Sequence, residues 1–72
     1  MDIRMRIGKR IKELRLGLGL TQEALADKVD LDKTYINEVE NGKRNVSDVN
    51  LEKIILGLEE NFGSFFHKEN FV

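Results

Sequence analysis

The reactive side chains of this sequence are arranged for binding rather than for making bonds. Nucleophilic catalysis needs a serine, cysteine or lysine within reach of a base that a third group orients. The chain has no cysteine and a single histidine, His67, with no serine or carboxylate spaced to complete a triad. A structural zinc ion takes about four nitrogen or sulfur ligands, more than one histidine supplies. Gly17-Leu18-Gly19 is a fragment of a phosphate-binding glycine pattern, but no strand precedes it and it reads as a helix stop. No catalysis, metal or cofactor is therefore expected. What remains is a pair of cations, Lys43-Arg44, in a loop directly behind a short capped helix. From there a cation meets a nucleic-acid backbone and fixes register without reading sequence.

The elements that must hold that loop follow from spacing. Ile3, Ile7, Ile11, Leu14 and Leu18 recur at helical period with charged residues between them, and Gly19 closes this first helix. Thr21 then caps a second helix over Gln22 to Val29, with Leu25, Ala26 and Val29 inward. Asp30-Leu31-Asp32 breaks it and caps a third helix from about Lys33 to Asn41, which Gly42 ends. Two short helices across a three-residue polar turn have the spacing of a helix-turn-helix. In that motif the first helix braces across the DNA backbone while the second offers its N-terminal residues to base edges in the major groove. Ser47 or Asn50 caps a fourth helix with Leu51, Ile54, Ile55 and Leu58 inside, and Asn61 caps a fifth piece rich in phenylalanine. No strand, repeat or linker is expected, so residues 1–72 read as one all-α domain, with about 62–72 as a dimerisation helix and tail.

Composition sets the conditions under which such a domain works. A chain of 72 residues buries a modest core, and with no disulfide or metal to staple it, association is the remaining support. Forty per cent hydrophobic and 35% charged residues describe a globular protein, and no apolar run is long enough for a signal peptide or membrane span. A cytoplasmic location is expected. The formal net charge of −1 argues, alone, against nucleic acid. Its distribution argues the other way: positive charge gathers in residues 1–18 and around Lys43-Arg44, while 19–32 and 47–72 are acidic.

Gly8-Lys9-Arg10-Ile11, Leu20-Thr21-Gln22-Glu23, Leu25-Ala26, Thr34-Tyr35-Ile36 and Glu40-Asn41-Gly42-Lys43-Arg44-Asn45 together resemble the phage-repressor/Cro type of helix-turn-helix. Within that type, Leu31 to Ile36, Lys43 to Ser47, Asn50 to Ile54, and Gly57-Leu58-Glu59 followed by Phe65-Phe66 resemble the controller proteins of bacterial restriction-modification systems. The resemblance implies a compact five-helix, lambda-repressor-like domain that dimerises through its C-terminal helices and binds a palindromic operator in double-stranded DNA. Accumulation would fill two dimers on adjacent sites; no membrane or small-molecule ligand is implied.

Site residues follow from the same resemblance, one position at a time. Lys33, Thr34 and Asn37 match base-reading positions, with Glu38 beside them, while Gln22, Tyr35, Lys43, Arg44 and Asn45 match positions that touch phosphate or the groove edge. Arg15 and Glu40 resemble a structural ion pair. Three phenylalanines look excessive for one small core, so Phe62, Phe65 and Phe66, with Ile55 nearby, are expected at the dimer interface. Two alternatives stand beside this reading. A prophage-type repressor or an antitoxin would share the DNA chemistry, whereas a protein-interaction module would use the Phe-rich face and leave DNA alone.

Overall fold

Five of the six described helices begin where a side-chain oxygen accepts backbone N–H groups that a first turn leaves unpaired. In the computed structural model, which describes residues 2–71, Asp2 accepts from Arg4 and Met5 and opens α1 (Ile3–Gly17). Thr21 accepts from Ala24 at the head of α2 (Gln22–Val29), and Asp32 from Thr34 at the head of α3 (Lys33–Glu40). Ser47 takes the cap of α4 (Asp48–Gly57) by accepting from Asn50, whose own amide is turned to another use. Asn61 and Ser64 cap each other across α5 (Phe62–Phe65). A further turn, α6 (Lys68–Phe71), makes six helices among the described residues rather than five. Four residues are too few to show a period in the sequence, and α6 is held by what it packs against.

Helix ends are as specific as helix starts. At the end of α3 the Lys43 N–H donates to the Glu38 carbonyl and the Gly42 N–H to the Val39 carbonyl, a closure that requires a left-handed residue between them. Gly42 supplies it at φ 70°, and Gly19 does the same at the end of α1 with φ 72°. The chain is thereby turned back so that Lys43 and Arg44 leave beside α3 rather than beyond it.

The core is a single cluster of Ile11, Leu25, Ala26, Val29, Ile36, Val39, Ile54, Ile55, Leu58 and Phe65. Helix α3 lies against both α1 and α2, while α4 covers α2 and joins α5. The α1–α3 crossing is close because Gly8 has no side chain. A Cβ there would stand 2.3 Å from the Val39 carbonyl oxygen and 2.6 Å from that of Glu40. Among the described residues no helix is long and apolar enough to cross a membrane.

The phenylalanines correct one expectation. Ile55 and Phe65 have no exposed surface in the single chain, so neither can offer its side chain to a partner. The inner stripe of α4 is Ile54, Ile55 and Leu58, and Phe65 is the one aromatic ring that closes the core over it. Phe66 packs half-buried against Phe65 edge-on, with centroids 4.8 Å apart, and Phe71 completes the group 5.1 Å from Phe66. Only Phe62, of the four residues expected at the interface, is substantially exposed. The apolar residues that face outward beside it in sequence are Val49 and Leu56 on α4.

The arginines of α1 correct a second expectation. Their four guanidinium groups are each engaged by a partner within the chain rather than left free. Arg10 donates through Nε to the Phe65 carbonyl and through Nη2 to that of Ser64, each at 3.0 Å, satisfying the open C-terminal end of α5. Arg6 donates to the Phe71 carbonyl and lies over its ring. Arg4 pairs with Asp2, and Arg15 turns inward to Glu40.

Candidate nucleic-acid interface

Helix α3 is amphipathic in the strict sense. Ile36, Val39 and Glu40 are buried, and Lys33, Thr34 and Asn37 are exposed. The three exposed residues lie on the N-terminal part of a helix whose axis is fixed by α1 on one side and α2 on the other. That is the presentation a recognition helix needs, since its early residues must reach base edges while its neighbour bears on the backbone.

Two polar clusters flank this face. The inner one is rooted in the buried pair of Arg15 and Glu40, which meet through Nε to Oε2 at 2.6 Å and Nη2 to Oε1 at 3.0 Å. The remaining edge of the guanidinium donates to the Leu20 carbonyl at 2.7 Å, so the α1–α2 connection is tied to the same charge. Two parallel bonds between planar groups are the strong form of this interaction, and they lock α1 against the end of α3. From Glu40 the cluster continues outward. Gln22 Nε2 donates to Glu40 Oε1 at 3.1 Å, Asn37 Nδ2 donates to Gln22 Oε1 at 3.1 Å, and Asn41 Nδ2 donates to the Asn37 carbonyl at 2.9 Å.

The outer cluster is more open, with Arg44 exposed and Tyr35, Glu38 and Asn50 half-buried. Arg44 donates to Glu38 Oε1 at 2.8 Å and stacks over the Tyr35 ring, 4.8 Å from its centroid. Asn50 Nδ2 in turn donates to the Tyr35 hydroxyl at 3.2 Å. Glu38, Tyr35 and Arg44 therefore form one unit on the flank of α3. The Glu38 carboxylate thereby neutralises the Arg44 guanidinium on this flank. Lys43 and Asn45 stand exposed beside this unit, and Lys33 and Thr34 are exposed across the helix. Gln22 is half-buried, with one Nε2 hydrogen left over after its bond to Glu40.

Two residues of this surface escape a reading of the sequence. Asn41 is there only the end of a helix, and Asn50 only a candidate cap; in the fold they hold Asn37 and Tyr35. Leu56 escapes as well, although a signal existed: it is an apolar residue lying off the Leu51, Ile54, Ile55, Leu58 stripe.

The surroundings match known proteins. A family profile described as helix-turn-helix covers residues 11–63. The control protein C.MunI of a Mycoplasma species is 55% identical over 58 residues, which span 79% of this chain and 78% of that one. The crystal structure of the restriction-modification controller protein C.AhdI from Aeromonas hydrophila superposes with a TM-score of 0.83 at 41% identity, covering 88% of this chain and 96% of that one. The restriction-modification controller protein C.Esp1396I, as a tetramer on its natural 35 base-pair operator, matches with a TM-score of 0.90 at 39% identity, over 100% of this chain and 99% of that one.

Proposed function

The chain belongs to the helix-turn-helix family, among the controller proteins of restriction-modification systems, and we propose that it regulates transcription by binding a palindromic operator as a homodimer, with two dimers on adjacent sites at higher concentration. It is a DNA-binding regulator and not an enzyme. The observation that carries the reading is the exposed Lys33, Thr34 and Asn37 face of α3, pinned in place by a buried ion pair. Lys33 donates to guanine, Thr34 hydrogen-bonds a base or packs on a thymine methyl, and Asn37 meets a base edge. Gln22, Tyr35, Lys43, Arg44 and Asn45 meet the backbone, and Glu38 sets when Arg44 is free to do so.

A single domain of residues 1–72 working in the cytoplasm fits this reading. The dimer surface is carried by Leu56 and Phe62, which are 62% and 49% exposed, in place of the buried Ile55 and Phe65. In the working state these two side chains are covered by the second copy. Because dimerisation and DNA binding are coupled by mass action, occupancy of the operator rises steeply with concentration. That behaviour suits control of an endonuclease gene, whose product is harmful before its methyltransferase partner has acted.

Footprinting on the upstream DNA of the surrounding genes tests the proposal. Symmetric protection of two half-sites about one helical turn, 34 to 36 Å, apart is expected, together with affinity that falls steeply as salt rises. Protection of one asymmetric half-site would overturn the dimeric reading, and salt-insensitive binding to another protein without operator affinity would overturn the whole.

A further inference from the structure

The direction of the Asn37 carboxamide is fixed from both ends. An asparagine side chain ordinarily offers its oxygen and its nitrogen in either order, since a half-turn about its last bond exchanges them. Here the order is set by groups that have no choice. Arg15 only donates and the Glu40 carboxylate only accepts, so Gln22 must turn its nitrogen to Glu40 and its oxygen outward. That oxygen accepts, so Asn37 must turn its nitrogen to Gln22. On the other side the Asn37 main-chain carbonyl accepts from the Asn41 amide nitrogen at 2.9 Å, and the same nitrogen reaches Asn37 Oδ1 at 3.3 Å. Both anchors demand the same orientation of Asn37. One Nδ2 hydrogen and one lone pair of Oδ1 stay free, in a fixed order along α3.

We propose that Gln22 and Asn41 are specificity-positioning residues, which hold the Asn37 carboxamide in one direction so that it selects adenine on one strand of each half-site. Adenine alone among the bases presents an acceptor and a donor side by side in the major groove, N7 and the N6 amino group, the complement of a carboxamide. Guanine presents two acceptors there, which would set O6 or N7 against Oδ1. A carboxamide free to turn would tolerate more registers; one tied to a buried charge does not. The inference rests on the reading that Asn37 faces base edges, and it adds the reason for the identity and strand of the base.

The test uses the full chain and duplexes carrying each of the four base pairs in turn at every half-site position, with dissociation constants read by fluorescence anisotropy. Wild type, Asn37→Ala, Gln22→Met and Asn41→Ala are compared; the last two remove one anchor each and leave both Arg15–Glu40 bonds in place, Gln22→Met also giving up one hydrogen bond to Glu40. Asn37→Ala is expected to abolish an adenine preference at one position. Gln22→Met is expected to reduce that same preference by about tenfold, the scale of one bidentate base contact, and Asn41→Ala by less, with the other positions keeping their order. A structural defect would instead weaken every duplex alike. If Asn37→Ala removes the preference while both anchor variants retain it, or lose affinity uniformly, the positioning role is overturned and Asn37 remains a base reader. If the base selected through Asn37 is not adenine, the polarity argument fails. If Asn37→Ala changes no position, the underlying reading fails first.

Discussion

Two arginine–glutamate pairs end on α3 two residues apart, on opposite flanks of the helix, and they differ chiefly in how much water reaches them. Arg15 and Glu40 keep 8% and 1% of their side-chain surface exposed, whereas Arg44 and Glu38 keep 50% and 41%. In the first, both charges have left water, and two parallel bonds together with Gln22 and Leu20 satisfy them. Neither partner can be removed without stranding the other. In the second, water competes for both groups, so the pair contributes little to folding and its partners can be exchanged. The lesson is that the same chemistry builds the domain on one side of the recognition helix and leaves a replaceable contact on the other. Arg44 is open to exchange of its partner, and Arg15 is not.

The largest effect should come from the buried pair. Glu40→Ala is expected to cost about 3 to 5 kcal/mol, much of what a small domain has to lose, and urea denaturation measures it. A loss under about 1 kcal/mol would place the two pairs in one class and break the comparison. Next comes the spacing that brings α1 to α3. Gly8→Ala improves helix propensity by roughly 1 kcal/mol, yet its Cβ would meet two main-chain carbonyls of α3. Overpacking of this kind costs about 1 to 3 kcal/mol, and carbonyls cannot step aside as side chains do. A lower Tm is expected, and a raised one would show the crossing to be slack.

The exposed pair should show itself on DNA rather than in folding. Arg44→Ala is expected to shift stability by under about 1 kcal/mol, to weaken binding alike on all sequences, and to flatten the salt slope by about one unit. Glu38→Gln is expected to raise affinity and steepen that slope, because the cation no longer has to be released; titrations at several salt concentrations check both. An unchanged slope in each would remove Arg44 from the backbone.

The smallest effect belongs to a third pair, at the open start of α1. The Arg4 guanidinium, with the Met5 and Arg4 amides, holds the Asp2 carboxyl below its ordinary value. A lowered carboxyl in the folded state stabilises at pH above its unfolded value and ceases to do so as pH falls through the folded one. Acidification should therefore loosen the first turn of α1 before the rest, seen as faster amide exchange at Arg4 and Met5. Asp2→Asn, which still caps, should remove that dependence on pH.

Much of this was legible beforehand because it is local. Thr21, Asp32 and Asn61 cap the helices that their spacing indicates, and the α2–α3 pair begins and ends within a residue of where the apolar period and breakers place it. Charge was legible in its distribution but not in its destination. Whether an arginine of α1 meets DNA or a carbonyl depends on what lies across from it, and Ser64, Phe65 and Phe71 are more than fifty residues away. The phenylalanines misled for a related reason: a count of rings says how much apolar area must be covered, but not whether the chain covers it itself.

The sequence by itself determined the first five helices, the caps of α2, α3 and α5, and which residues of α3 point away from the core, since these follow from periods and bonds spanning at most a few positions. Only the tertiary structure decided that Phe65 and Ile55 close the core and leave Leu56 and Phe62 outside. It alone decided that the charge on Arg15 sets, through Glu40 and Gln22, the direction of an amide on the recognition face. Burial and hydrogen-bond polarity are properties of neighbours in space, and these neighbours come from three different helices.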